Sequence, residues 1–142
     1  MNREIKFRAW VRGKGKDFMT YQGEPDLETL ESFIFHWGDV RKYKLMQFTG
    51  LKDKNDKEIY EGDIVNKYGV VAKFIIKFGT YKRKNFSNQD RQVEHHGWYG
   101  EPISEFDERT RIEWNGDIES IVNFRNGVEV IGNIYQNKEL LK

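Results

Sequence analysis

Two carboxylate clusters are the residues best suited by type to acid–base chemistry: Glu58, Glu61 and Asp63, and Glu105, Asp107 and Glu108. Such work needs one carboxyl desolvated, so that its pKa rises while a neighbour stays ionised. Flanking glycine, asparagine and lysine point to water instead, and Asp63 directly after Gly62 is better suited to fixing a turn by accepting backbone amides. The histidines are His36, His95 and His96. Neighbouring strand residues face opposite sides, so His95 and His96 do not chelate one ion readily, and no His-x-x-x-His or His-x-Glu pattern occurs. There is no cysteine, hence no thiolate nucleophile, no thiolate metal site and no disulfide. No Gly-x-Ser-x-Gly elbow is present, and Gly13-Lys14-Gly15-Lys16 lacks the Gly-Lys-Ser/Thr ending of a phosphate loop. The expectation is a non-enzymatic chain without metal or cofactor.

What remains is a binding pattern. Lys6, Arg8, Trp10 and Arg12 share one face of an alternating strand, and Tyr81, Lys82, Arg83, Lys84 and Phe86 follow one another further on. Cations neutralise phosphates while aromatic rings stack on bases, so Arg8, Trp10, Arg12, Lys82, Arg83 and Lys84 are the candidate nucleic-acid contacts. The bland reading of the same residues is a covered Trp10 with arginines stacked on it, and a solvated lysine run. A second pattern suggests protein contacts. Val70, Ala72, Phe74, Ile76 and Phe78 line one side of a strand whose other side still carries Val71 and Ile75, so both sides are expected to be covered. With aromatics at 15% of the chain, Val71, Ile75, Tyr81, Trp98 and Tyr99 are the candidate oligomer or partner interface.

The elements that position these residues are mostly strands. Ile5, Phe7, Ala9 and Val11 alternate with polar residues, Gly13 to Lys16 turns, and Phe18 to Tyr21 returns. A short helix is expected from Pro25, ended by Gly38-Asp39. Leu45 to Thr49 and a strand beginning near Ile59 flank the polar run Lys52 to Lys57, where Asn55-Asp56 tolerate the positive φ of a tight turn. Lys82 to Arg91 reads as a mobile loop, Val93 to Tyr99 as a strand, and Glu101 to Arg109 as a second loop or frayed helical turn. Asn115-Gly116-Asp117 marks a hairpin, and Asn126-Gly127 turns into a strand Val128 to Ile134. Asn137 is placed to cap a terminal helix, Lys138 to Leu141, whose leucines would dock on the body. The fold class expected is all-β: an N-terminal hairpin and short helix, residues 1–44, packed on a small SH3-like barrel, residues 45–142, or one domain throughout.

Gln47-Phe48-Thr49-Gly50-Leu51-Lys52-Asp53, followed by Glu58-Ile59-Tyr60-Glu61-Gly62-Asp63-Ile64-Val65, resembles the YopX family of phage and prophage proteins. Glu4-Ile5-Lys6-Phe7-Arg8-Ala9-Trp10 and Val130-Ile131-Gly132-Asn133-Ile134-Tyr135, with Leu140-Leu141, extend the likeness to the start and end of the chain. Many members have Asn-Gly where this chain has Asn55-Asp56, and residues 78–126 match nothing in the pattern. The resemblance implies a small, mainly β, oligomeric phage protein. It implies no known activity, so no catalytic residue is carried over.

Bulk properties set the remaining bounds. At 142 residues, roughly 68–70% of the unfolded surface is buried on folding, enough for a real core. The net charge of +1 gives no global field toward nucleic acid or membrane, although residues 1–16 are basic and residues 101–119 acidic. No apolar run reaches the ~18 residues of a membrane helix and no signal-peptide core opens the chain, so the expected place is the cytoplasm of a bacterial host. Three functions follow as expectations: an accessory protein that self-assembles and contacts a host or phage protein, a nucleic-acid-binding β module, and last a carboxylate hydrolase.

Overall fold

A computed structural model describes residues 4–12, 15–22, 43–67, 72–85, 88–103 and 127–141. Its strands are β1 (Phe7–Val11), β2 (Phe18–Tyr21), β3 (Tyr43–Lys52), β4 (Glu58–Tyr60), β5 (Asp63–Lys67), β6 (Ala72–Asn85), β7 (Asn88–Pro102) and β8 (Val128–Asn133). A 3-10 turn, Lys138–Leu141, follows. The chain is all-β. Strands run in the orders β2-β1-β3-β4 and β7-β6-β5-β8. The helix expected from Pro25 and the hairpin around Asn115-Gly116-Asp117 lie outside the described residues, as does Val71.

Contacts group residues Met1–Gly50 into one unit and Leu51–Lys142 into another, where the sequence suggested a division after residue 44. In the first unit β1 is the middle strand. It pairs with β2 from Arg8↔Tyr21 to Val11↔Phe18 and with β3 from Phe7↔Gln47 to Val11↔Tyr43. Ala9 and Val11 are buried with Phe7 and Tyr43 against them, the apolar half of the alternation. The polar half does not face water as expected. Arg8 is 3% exposed, and Met46, its partner on β3, is 2% exposed, so β1 is covered on both sides.

In the second unit the core is Ile59, Val65, Phe74, Ile76, Trp98 and Val128, with Leu51 and Val130 packed on it. β5 lies between β6 and β8, which explains its burial along nearly every residue. The turn between β3 and β4 is the expected one, with Asp56 at φ 67°. Asp53 builds it: Oδ1 accepts the amides of Asn55 (2.8 Å) and Lys57 (2.9 Å), and Oδ2 accepts the amide of Val130 on β8 (2.9 Å). A turn between neighbours is thereby tied to a strand more than seventy residues away.

The stretches that carry the family likeness serve other turns too. Asp63 Oδ2 accepts the Tyr60 amide (2.8 Å) across a bend where Gly62 holds φ 84°, the turn chemistry expected of it. Asn133 Oδ1 accepts the amides of Tyr135 and Gln136, 3.0 and 2.9 Å away. Asn137 Oδ1 reaches back to the Asn133 amide (3.1 Å) rather than capping the final turn. Gly132 makes room for it, since a Cβ there would sit 2.5 Å from that oxygen. Leu140 is half-buried and Leu141 exposed, so only one of the two leucines docks.

One expectation is overturned. Residues 82–91 are not a loop: β6 continues to Asn85 and β7 starts at Asn88, with register pairs from Lys82↔Glu94 to Asn85↔Asn88. Hydrophobic periodicity is the sequence signal of a strand, and residues 82–91 are almost wholly polar, so the sequence gave no strand signal there.

Candidate functional site

The hairpin β6–β7 is far longer than the sheet that supports it. β5 pairs with β6 only from Ala72 to Ile75, with the Gly62 amide reaching the Ile76 carbonyl (2.8 Å). Beyond Ile76, β7 is the one neighbour of β6 among the described residues. Among the described residues the outer hairpin is therefore a two-stranded arm.

Directly opposed residues in an antiparallel pair share a face, so the register sorts the arm into two sides. Phe74, Ile76, Phe78, Thr80 and Lys82 lie with Glu94, His96, Trp98 and Gly100 on the core-directed side. Ile75, Lys77, Gly79 and Tyr81 lie with His95, Gly97, Tyr99 and Glu101 on the other. Trp98 is buried, whereas Phe78 is 52% exposed and meets Trp98 edge-on with centroids 4.9 Å apart. Phe78 also touches His96 edge-on (5.1 Å), and the His96 ring Nδ1 lies 3.2 Å from Thr80 Oγ1. On the outer side Tyr81 stacks on Tyr99 at 5.2 Å and on His95 at 5.6 Å.

Glycines explain how these rings lie so flat. Gly79 and Gly97 face each other across the arm with φ 154° and 153°, a region L side chains rarely enter. The nearest atom to a Cβ on Gly79 would be Tyr99 Cε1 at 4.0 Å, so the Tyr99 ring covers that bare backbone. The hairpin is basic overall, with Lys73, Lys77, Lys82, Arg83, Lys84 and Arg91 against Asp90, Glu94 and Glu101, but two of these cations face acids. Lys77 Nζ is ion-paired with Glu101, and Lys82 stands opposite Glu94.

The structure gathers three of the expected interface residues, Ile75, Tyr81 and Tyr99, on the outer side and places Trp98 on the inner one. The expected nucleic-acid set is not gathered. Arg8 is buried, Trp10 half-buried and Arg12 exposed in the first unit, while Lys82 lies exposed on the arm of the second. Arg83 and Lys84 continue β6, opposite Val93 and Gln92. His95 and the glycine pair were missed by sequence reasoning, because only the register shows that they join Tyr81 and Tyr99. The acid–base candidates are occupied elsewhere: Asp63 in its turn, and Glu58 by the Tyr60 hydroxyl (3.2 Å). Glu105, Asp107 and Glu108 lie outside the described residues. No group of three metal-ligating side chains converges among the described residues.

Comparison with known proteins decides the family. The family model described as YopX protein matches residues 6–142. The chain is a member of the YopX family. No curated protein matches it. Among solved structures, this YopX protein is similar to the crystal structure of protein EF1440 from Enterococcus faecalis, at 24% identity, 99% of this chain, 100% of that chain and a TM-score of 0.45. No described helix of the YopX chain is long and apolar enough to cross a membrane.

Proposed function

We propose that this YopX protein is a non-enzymatic phage or prophage accessory protein, working in the bacterial cytoplasm, that self-assembles through the outer side of the β6–β7 arm. The observation that carries the reading is the Tyr99–Tyr81–His95 stack on the outer side of the hairpin, with the Lys77–Glu101 ion pair beside it. Aromatic rings supply large contact area at small entropic cost. Pairing Lys77 with Glu101 cancels the charge of those two side chains next to Tyr99, leaving the rings as the main contact surface there. Nucleic-acid binding is the weaker reading, since Arg8 of its set is buried and Arg12 and Lys82 lie in different units.

Light scattering at low and high salt, with and without a short single-stranded oligonucleotide, tests this. A salt-resistant oligomer indifferent to the oligonucleotide is expected, reduced in mass by Tyr81→Ala with Tyr99→Ala. A monomer that gains the oligonucleotide's mass at low salt and loses it at high salt would reverse the assignment. A monomer under every condition would end the self-assembly reading and leave contact with another host or phage protein.

A further inference from the structure

The facing glycines of the arm call for a reason of their own. Glycine in a strand costs stability, and it is kept for close approach of another group or for a backbone conformation other residues resist. Close approach does not explain Gly97, because a Cβ there would meet nothing within 4 Å. Conformation does: both glycines hold φ near +154° at one level of the ribbon, just past the last support from β5.

The geometry points to a joint. Gly79 and Gly97 let the outer arm pivot on its base, and two aromatic clasps, one on each side, hold it in the observed pose. On the outer side Tyr81, beyond the glycine level, lies flat on Tyr99, below it. On the inner side His96, beyond, meets Phe78, below. A pivot toward one side compresses that side's clasp and opens the other, so neither clasp alone sets the angle. Base and outer arm remain regular ladders, because register is kept from Phe74↔Pro102 to Lys84↔Gln92 with no bulge at the glycines. At about 3.3 Å per residue, the six residues from Gly79 to Asn85 make a lever of roughly 20 Å, and a pivot of ~20° carries its end roughly 7 Å.

The chain has no cysteine, so two introduced ones are unique attachment points. Spin labels at Glu94→Cys on the arm and Lys57→Cys on the β3–β4 turn, both exposed, report the arm's angle by dipolar spectroscopy. Excess unlabelled protein keeps label pairs within single chains, so the result is independent of self-assembly. The parent is expected to give one narrow distance. Tyr81→Ala with His96→Ala is expected to broaden it by roughly 3 Å, a ~20° pivot three residues past the joint. Adding Gly79→Ala and Gly97→Ala is expected to narrow it again about a shifted mean, because alanine abandons the φ near +154° and fixes the ribbon in an ordinary extended pose. Hydrogen exchange at residues 80–82 and 94–96 must remain slow in the broadened variant. A distance unmoved by loss of both clasps means a fixed bend, and fast exchange means fraying; either overturns the joint.

Discussion

Asp53 shows how much one side chain can hold. It is 7% exposed and its carboxylate accepts three backbone amides, two in its own turn and one on β8. Net gains of about 1 kcal/mol per bond, and more where a buried amide is orphaned, put Asp53→Ala at about 2–4 kcal/mol destabilising in a urea melt. Gly132→Ala is expected to displace Asn137, because the new carbon would collide with its amide group, and to speed hydrogen exchange of the Asn133 amide several-fold. Lys67 is 1% exposed, and burial lowers its pKa. A lysine whose folded pKa is lowered binds its proton more weakly in the native state than unfolded. Its penalty on stability is therefore full below the lowered folded value and disappears as pH rises through that value toward 10.5. Chemical melts should show stability climbing over that alkaline window, and Lys67→Met should flatten the climb. A variant that kept the same climb would refute the assignment to Lys67.

The strands were legible in proportion to how one-sided they are. β2 and β8 follow their alternation to within a residue of the expected bounds, and the Asn55-Asp56 turn is where the chemistry of those residues puts it. β1 was half legible: alternation found its apolar side, but could not show that Arg8 is covered as well. The outer arm was illegible because backbone pairing leaves no mark on a polar sequence. Its ring stack was visible as types and invisible as a set, since Tyr81, His95 and Tyr99 meet only through a register that no local spacing specifies. Gly97→Ala belongs to this level. Open space greets the new methyl group, yet the backbone angle resists it, and about 1–3 kcal/mol should be lost from the arm's local stability. Native-state hydrogen exchange should place that loss in β6 and β7 and spare β5–β8.

Across the chain, the pairing of β5 with β8 closes a long excursion: Asp63 meets Asn133 and Lys67 meets Val128. Val128 is fully buried in the second unit's core, and Val130 takes one of the three Asp53 bonds. Removing residues 127–142 should therefore abolish that unit's cooperative unfolding transition seen by far-UV circular dichroism, although every other described strand of the unit remains. Contacts of such sequence separation must be closed against loop entropy before they stabilise anything, so refolding on the millisecond-to-second scale is expected in stopped flow.

The arm's length has a mechanical consequence. β6 is joined to β7 by twelve register pairs and to β5 by four. Tension applied at residues 86–87 and directed along the strands does not unzip the hairpin, because both strands are drawn the same way. The load passes to the base and is taken in shear by Ala72 to Ile75 against β5, together with the packing of Phe74, Ile76 and Trp98. The arm is thus a handle tougher than its mounting: pulled hard enough, it comes away from β5 with its own ladder intact.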